Sequence, residues 1–173
     1  MKEIILKKVS IYKTSIEKHL TEIVYIYVKQ HKDIFQKRKW DCNINTSTQI
    51  NILFENEFKY IREAIEKEID NLLKNNFGKS MPFMIINSWI NVMEKYGYQE
   101  FHNHNNKCYS GVLYISEHNS NIEFAIFPEN TTKQITPEKG DILLFDGSTY
   151  HRVVDSAKER ISLAFNFVID NDS

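Results

Sequence analysis

Three histidines and one arginine hold the chemistry that can be read from this chain. His102 and His104 stand one residue apart in Tyr98-Gln-Glu-Phe-His-Asn-His-Asn, His151 comes later, and Arg160 lies a short way beyond it. On an extended strand alternate side chains point to one face, so His102 and His104 project together. Their imidazoles converge on one ion if a later strand brings His151 from the opposite side. Neutral imidazole suits iron, zinc, copper and nickel alike, so the ligands do not name the metal. A His-x-His pair in a polar loop is by itself more often solvated sequence than a metal site. The residues downstream of the pair shift that balance.

The 160–169 run, Arg160-Ile-Ser-Leu-Ala-Phe-Asn-Phe-Val-Ile, alternates strictly. Arg160, Ser162, Ala164 and Asn166 share one face, and Ile161, Leu163, Phe165 and Phe167 share the other, which belongs in a core. An inward arginine needs an anion, because an unpaired buried charge is expensive. A planar guanidinium grips a carboxylate with two prongs, and the neighbouring Ser162 hydroxyl adds a third bond. The anion is either a carboxylate-bearing small molecule beside the metal or a protein acid such as Glu159 or Asp155.

The elements that must position these residues divide the chain by periodicity. At 173 residues it is expected to form a single domain, with 1–80 as mainly helical support and 81–173 carrying the site. Apolar residues recur at helical spacing over about 13–37 and 52–77, and Gly78 is a natural stop for the second helix. Residues 40–48 read as a polar loop, and residues 4–12 as a further edge strand. After Ser80 the pattern changes to short β-rich runs at 83–92, 109–115, 122–127, 141–145 and 160–169, separated by turns. Asp141 and Asp146 belong to those turns rather than to the chemistry. Short strands at regular spacing predict a sandwich or barrel. The expected fold is mainly β with N-terminal helices (α+β), a jelly roll with helices packed on one face.

Composition narrows the function classes. The net charge of -1 gives no global field toward nucleic acid or an anionic membrane. No apolar run approaches the roughly 18 residues that span a bilayer, and the opening Met-Lys-Glu-Ile-Ile-Leu-Lys-Lys is too short an apolar stretch for a signal peptide. Cys42 and Cys108 form no recognisable pair, so a reducing cytoplasm is expected. His19, His31 and His118 read as surface residues without a role. Oligomeric state is not encoded in any visible pattern.

Several segments together carry a family resemblance. They are Trp89-Ile-Asn91, His102-Asn-His104, Tyr109-Ser-Gly-Val-Leu-Tyr-Ile, Phe127-Pro128, the Gly140-Asp-Ile-Leu-Leu-Phe run, His151-x-Val153 and Glu159-Arg-Ile-Ser-Leu-Ala-Phe-Asn166. In order and spacing they resemble the iron(II)- and 2-oxoglutarate-dependent oxygenases, in particular a small bacterial and phage branch with a His-x-His motif. The resemblance implies a double-stranded β-helix, a cupin-like jelly roll. It implies Fe(II) held by His102 and His151, with His104 as third ligand, and 2-oxoglutarate held by Arg160, Ser162 and Tyr114. Asn91, Trp89 and Asn166 are expected at the substrate pocket. The implied partners are 2-oxoglutarate, O2 and a substrate the sequence does not identify. The implied reaction is oxidative decarboxylation of 2-oxoglutarate to succinate and CO2, coupled to hydroxylation.

One departure stands out. Most of the superfamily has an acid where this chain has His104, completing two histidines and one carboxylate. Three neutral imidazoles leave the site one unit more positive. Alternatively His104 supports the site from behind and a water or remote acid completes the set. Two other readings remain: a cupin-like three-histidine metalloenzyme that does not use 2-oxoglutarate, which has no need of Arg160-Ile-Ser162, or a non-catalytic binding module.

Overall fold

The computed structural model describes residues 9–38, 42–104, 107–117, 120–154 and 156–170. Two antiparallel sheets face each other as a double-stranded β-helix. Their strands are β1 (Ile11–Ser15), β2 (Phe35–Lys37), β3 (Asn45–Ser47), β4 (Phe83–Met93), β5 (Gln99–His102), β6 (Tyr109–Tyr114), β7 (Ile122–Ile126), β8 (Thr131–Ile135), β9 (Asp141–Asp146), β10 (His151–Val153) and β11 (Arg160–Ile169). The larger sheet runs β1-β9-β6-β11-β4-β3-β2 and the smaller β5-β10-β7-β8.

The alternation of β11 divides two interiors. Ile161, Leu163, Phe165 and Phe167 point outward from the large sheet and are all fully buried. Against them pack α1 (Lys18–Gln30) and α2 (Lys59–Phe77). Ile61, Ile65, Ile69 and Leu73 recur every fourth residue of α2, so one stripe meets the sheet while the charged faces stay in water. Burying those four side chains contributes about 6–12 kcal/mol before entropy is subtracted. The helix stops at Gly78, whose φ of 72° suits a residue without Cβ and whose N–H closes on the Lys74 carbonyl at 2.8 Å. Between the sheets lies a smaller apolar cluster of Tyr114, Ile122, Phe124, Leu143 and Phe145.

The elements differ from the sequence expectation in specific places. The first helix begins at Lys18 rather than near residue 13, because residues 11–15 pair as an edge strand with β9, Ile11 opposite Phe145 and Ser15 opposite Asp141. That strand replaces the one expected over 4–12, of which residues 4–8 lie outside the described residues. The second helix is preceded by two single turns, Ile52–Phe54 and Asn56–Phe58. The polar 40–48 stretch contains β3, which joins the large sheet between β2 and β4. β8, Thr-Thr-Lys-Gln-Ile, was hidden by its polarity; it is an exposed edge strand that pairs, among the described residues, with β7 alone.

Candidate active site

The three histidines meet on the small sheet. His102 ends β5 and pairs directly with His151 of β10, which lies in the interior of that sheet. His104 stands just past the end of β5 instead of on it. It is held there by its own N–H, which donates to the Gly147 carbonyl in the β9–β10 turn at 2.8 Å. Tertiary hydrogen bonding therefore achieves what strand alternation was expected to do. One nitrogen from each ring lies within 4.8 Å of the others. A metal with nitrogens at about 2.1 Å would draw them closer together.

The protonation pattern suits a metal. His102 Nδ1–H donates to the Glu100 carbonyl at 2.9 Å, and His151 Nδ1–H to the Thr149 carbonyl at 3.0 Å. A carbonyl only accepts, so each ring keeps its proton on Nδ1 and turns an unprotonated Nε2 away from it. The Gln99 carboxamide approaches the His102 Nε2 at 3.3 Å. Burial holds all three pKa values down. His104 falls to about 4, with the charge of His102 adding to burial. His102 is lowered by burial against the opposing Glu100 bond, and His151 is lowered strongly by burial and then by His102. All three are therefore neutral near pH 7, the form that ligates. Trp89 closes one side, its ring 5.8 Å from that of His104.

On the facing large sheet, registers align Asn91, Ser162 and Tyr114 in one row and Trp89, Ala164 and Val112 in the next. Arg160 sits opposite Met93 at the start of β11. It is 3% exposed, and its guanidinium lies over the Tyr114 ring, 5.0 Å from the centroid. Its Nη1 donates weakly to Ser120 Oγ at 3.4 Å, while its buried Nε finds no acceptor. Among the described residues no carboxylate lies within 4.0 Å of Arg160. Glu159, one of the expected protein partners, turns away to Lys29 at 2.6 Å; Asp155, the other, lies outside the described residues. Burial lowers the arginine pKa and raises that of the Tyr114 phenol to about 12. A desolvated cation with an idle donor is a seat for an anion.

One cavity of about 400 Å3 joins the two halves, lined by His102, His104 and His151 on one side and by Arg160, Ser162 and Asn91 on the other. The donor set fits a divalent metal next to a carboxylate-bearing ligand. Trp89 also lines this cavity, whereas Tyr114 lies beneath Arg160 and contributes no lining. Asn166 is placed elsewhere. It accepts from Ser110 Oγ at 2.7 Å and donates to Asn87 at 2.8 Å, tying three strands together outside the cavity lining. Sequence alone did not single out Arg38, Thr46 or Gln99, which also line the cavity. Thr46 donates to Asn91 Oδ1 at 3.0 Å and orients that carboxamide. Its signal, a β-branched residue in a polar run, is too weak to find alone. Cys42 and Cys108 are buried and do not belong to the histidine group. His19 meets Glu17 at the surface, His31 stacks on Tyr27 at 4.2 Å, and His118 lies outside the described residues.

Residues 87–166 match the family model described as "Putative 2OG-Fe(II) oxygenase". No curated protein matches the chain. Among solved structures, a prolyl-4-hydroxylase from Pseudomonas putida superposes with a TM-score of 0.72 at 12% identity, covering 93% of each chain. A prolyl hydroxylase from Trichoplax adhaerens, in complex with a hypoxia inducible factor peptide fragment, gives 0.66 at 14% identity over 92% of this chain and 83% of that one. HygX from Streptomyces hygroscopicus, with nickel, 2-oxoglutarate and hygromycin B bound, gives 0.68 at 9% identity over 92% and 82%. At such identities the structural likeness shows the shared fold.

Proposed function

We propose that the chain is an iron(II)- and 2-oxoglutarate-dependent oxygenase, a reading supported by the match of residues 87–166 to that family's model and by the shared fold. The enzyme consumes 2-oxoglutarate and O2, oxidises a substrate, and releases succinate and CO2. His102, His151 and His104 hold the Fe(II) through their unprotonated nitrogens, and Arg160 with Ser162 holds the distal carboxylate of 2-oxoglutarate. The observation that carries this assignment is the buried Arg160, with an unused Nε and no acid beside it among the described residues, in the same cavity as three neutral histidines.

Bound there, Fe(II) supplies the redox chemistry that couples decarboxylation to attack on a substrate C–H bond. The chain's own residues do the positioning. Tyr114 stacks beneath Arg160 and aims its guanidinium. The carbonyls of Glu100 and Thr149 set the tautomers of His102 and His151. Trp89 and Asn91 line the space left for substrate, while Asn166 keeps β4, β11 and β6 in register around it. We assign hydroxylation as the outcome, one oxygen atom of O2 entering the C–H bond and the other entering succinate. The whole chain acts as one unit, since α1 and α2 complete the core on which β11 rests. No helix among the described residues is long and apolar enough to cross a membrane. The thiols of Cys42 and Cys108 accord with a reducing, cytoplasmic setting.

The test is metal analysis and succinate release. Protein reconstituted anaerobically should hold close to one Fe(II) per chain and release succinate from 2-oxoglutarate once O2 is admitted. A His102→Ala, His151→Ala double variant should lose both. Unchanged iron content in that variant would sink the assignment.

A further inference from the structure

The chain has four arginines. Arg62 pairs with Glu66 and Arg152 with Glu123. The remaining two, Arg38 and Arg160, have no acid within 4.0 Å among the described residues, and both line the histidine cavity. Arg160 is buried at its base, but Arg38 is exposed at its mouth. Arg38 follows β2 directly, and its backbone N–H returns to the Ile44 carbonyl at 3.1 Å, which fixes the base of its side chain at the sheet edge. A second cavity of about 760 Å3 opens beside the first and shares Arg38, Thr46 and Trp89 with it. Among the described residues, the rest of its wall is neutral amides, hydroxyls and Ile50, with Lys37 as a further cation. Among the described residues, neither cavity is lined by an aspartate or glutamate.

A cleft lined by cations without acids carries a positive potential that draws anions in. A guanidinium meets carboxylate or phosphate oxygens in a two-pronged fashion that a lysine cannot reproduce. One anion seat is already explained by the cosubstrate. The second faces solvent, where the molecule to be oxidised must enter. Trp89 stands between the two cavities and 5.8 Å from the His104 ring, offering a flat apolar wall between Arg38 and the metal ligands.

We propose that the molecule oxidised is a small organic anion whose carboxylate or phosphate is gripped by Arg38, with its apolar body against Trp89. This rests on the oxygenase reading above. Arg38 thus sets specificity for the charged end of the substrate, and Arg160 serves the cosubstrate alone.

The test is calorimetric titration of anaerobic enzyme loaded with Fe(II) and 2-oxoglutarate, using probes that differ only in charge. N-acetylphenylalanine is compared with its amide, and phenyl phosphate with phenol; the first pair reports a carboxylate preference and the second a phosphate preference. At least one anion should bind tenfold more tightly than its neutral partner. Arg38→Gln should abolish that preference and Arg38→Lys should keep part of it. The 2-oxoglutarate affinity of Arg38→Gln, measured in the same samples, should change less than twofold. Equal binding within both pairs, no binding by either anion, or a preference that survives Arg38→Gln overturns the proposal. A tenfold loss of 2-oxoglutarate affinity in Arg38→Gln also overturns it, by giving Arg38 to the cosubstrate. Failure of the wild type to bind 2-oxoglutarate at all instead defeats the parent reading; titration of the Fe(II)-loaded protein then still reads the charge preference.

Discussion

Arg160→Met separates a binding seat from a structural ion pair by the sign of its effect on stability. The native guanidinium is 3% exposed, and no acid lies beside it among the described residues. An uncompensated buried ion costs several kcal/mol. Offsetting this are the Tyr114 ring at 5.0 Å, worth up to about 2 kcal/mol when desolvated, and the Ser120 contact, near the weak limit at 3.4 Å. Methionine keeps much of the length and adapts to an irregular gap. The ligand-free variant should therefore be more stable than wild type by about 1 kcal/mol, a rise in Tm of about 2–4 °C. The same change removes a charge-assisted, two-pronged contact and should weaken 2-oxoglutarate binding by about 2–5 kcal/mol. Thermal unfolding of metal-loaded protein with and without 2-oxoglutarate reads both effects. Wild type should gain Tm on adding 2-oxoglutarate, and Arg160→Met should start higher and gain nothing. A variant that starts several degrees lower and still responds to 2-oxoglutarate would show that Arg160 is a structural cation held by a protein acid.

His104 and Tyr114 give two further tests. His104→Ala should lower Fe(II) affinity, and His104→Asp should recover it in part, because a carboxylate restores a charge but its shorter side chain reaches less far; wild-type iron affinity in the Ala variant would remove His104 from the ligand set. Tyr114 has a folded pKa of about 12 against an unfolded value of 10.0. Its contribution to stability is thus complete below pH 10 and is lost as pH rises toward 12, at up to about 1.4 kcal/mol per pH unit. Denaturant unfolding between pH 9 and 11 should show a flatter alkaline decline in Tyr114→Phe than in wild type, and parallel curves would refute the assignment.

Local periodicity was enough to assign faces. The alternation of β11 told which side of Arg160-Ile-Ser-Leu was core, and all four outward residues are fully buried. The four-residue stripe of α2 and the stop at Gly78 were equally plain, because helix amphipathicity and a left-handed cap are properties of neighbouring residues. The spacing of His102, His104, His151 and Arg160 was legible as a candidate metal and anion site for the same reason: a few side-chain types have few uses. The short strands β2, β3 and β8 were not, since three to five polar or mixed residues become strands only when a partner offers hydrogen bonds. His104 looked like a strand neighbour of His102, yet the Gly147 carbonyl, from another turn, fixes it. Asn166 shares a face with Arg160 as expected, but its amide is engaged by Asn87 and Ser110 from two flanking strands. Glu159, beside Arg160 in sequence, was an obvious partner until the fold turned it toward Lys29 of α1. That Arg38 and Arg160, far apart in sequence, line one cavity depends on β2 and β11 joining the same sheet. Which face a residue takes is decided by its neighbours in sequence; which partner it meets there, or lacks, is decided by strand pairing between distant segments.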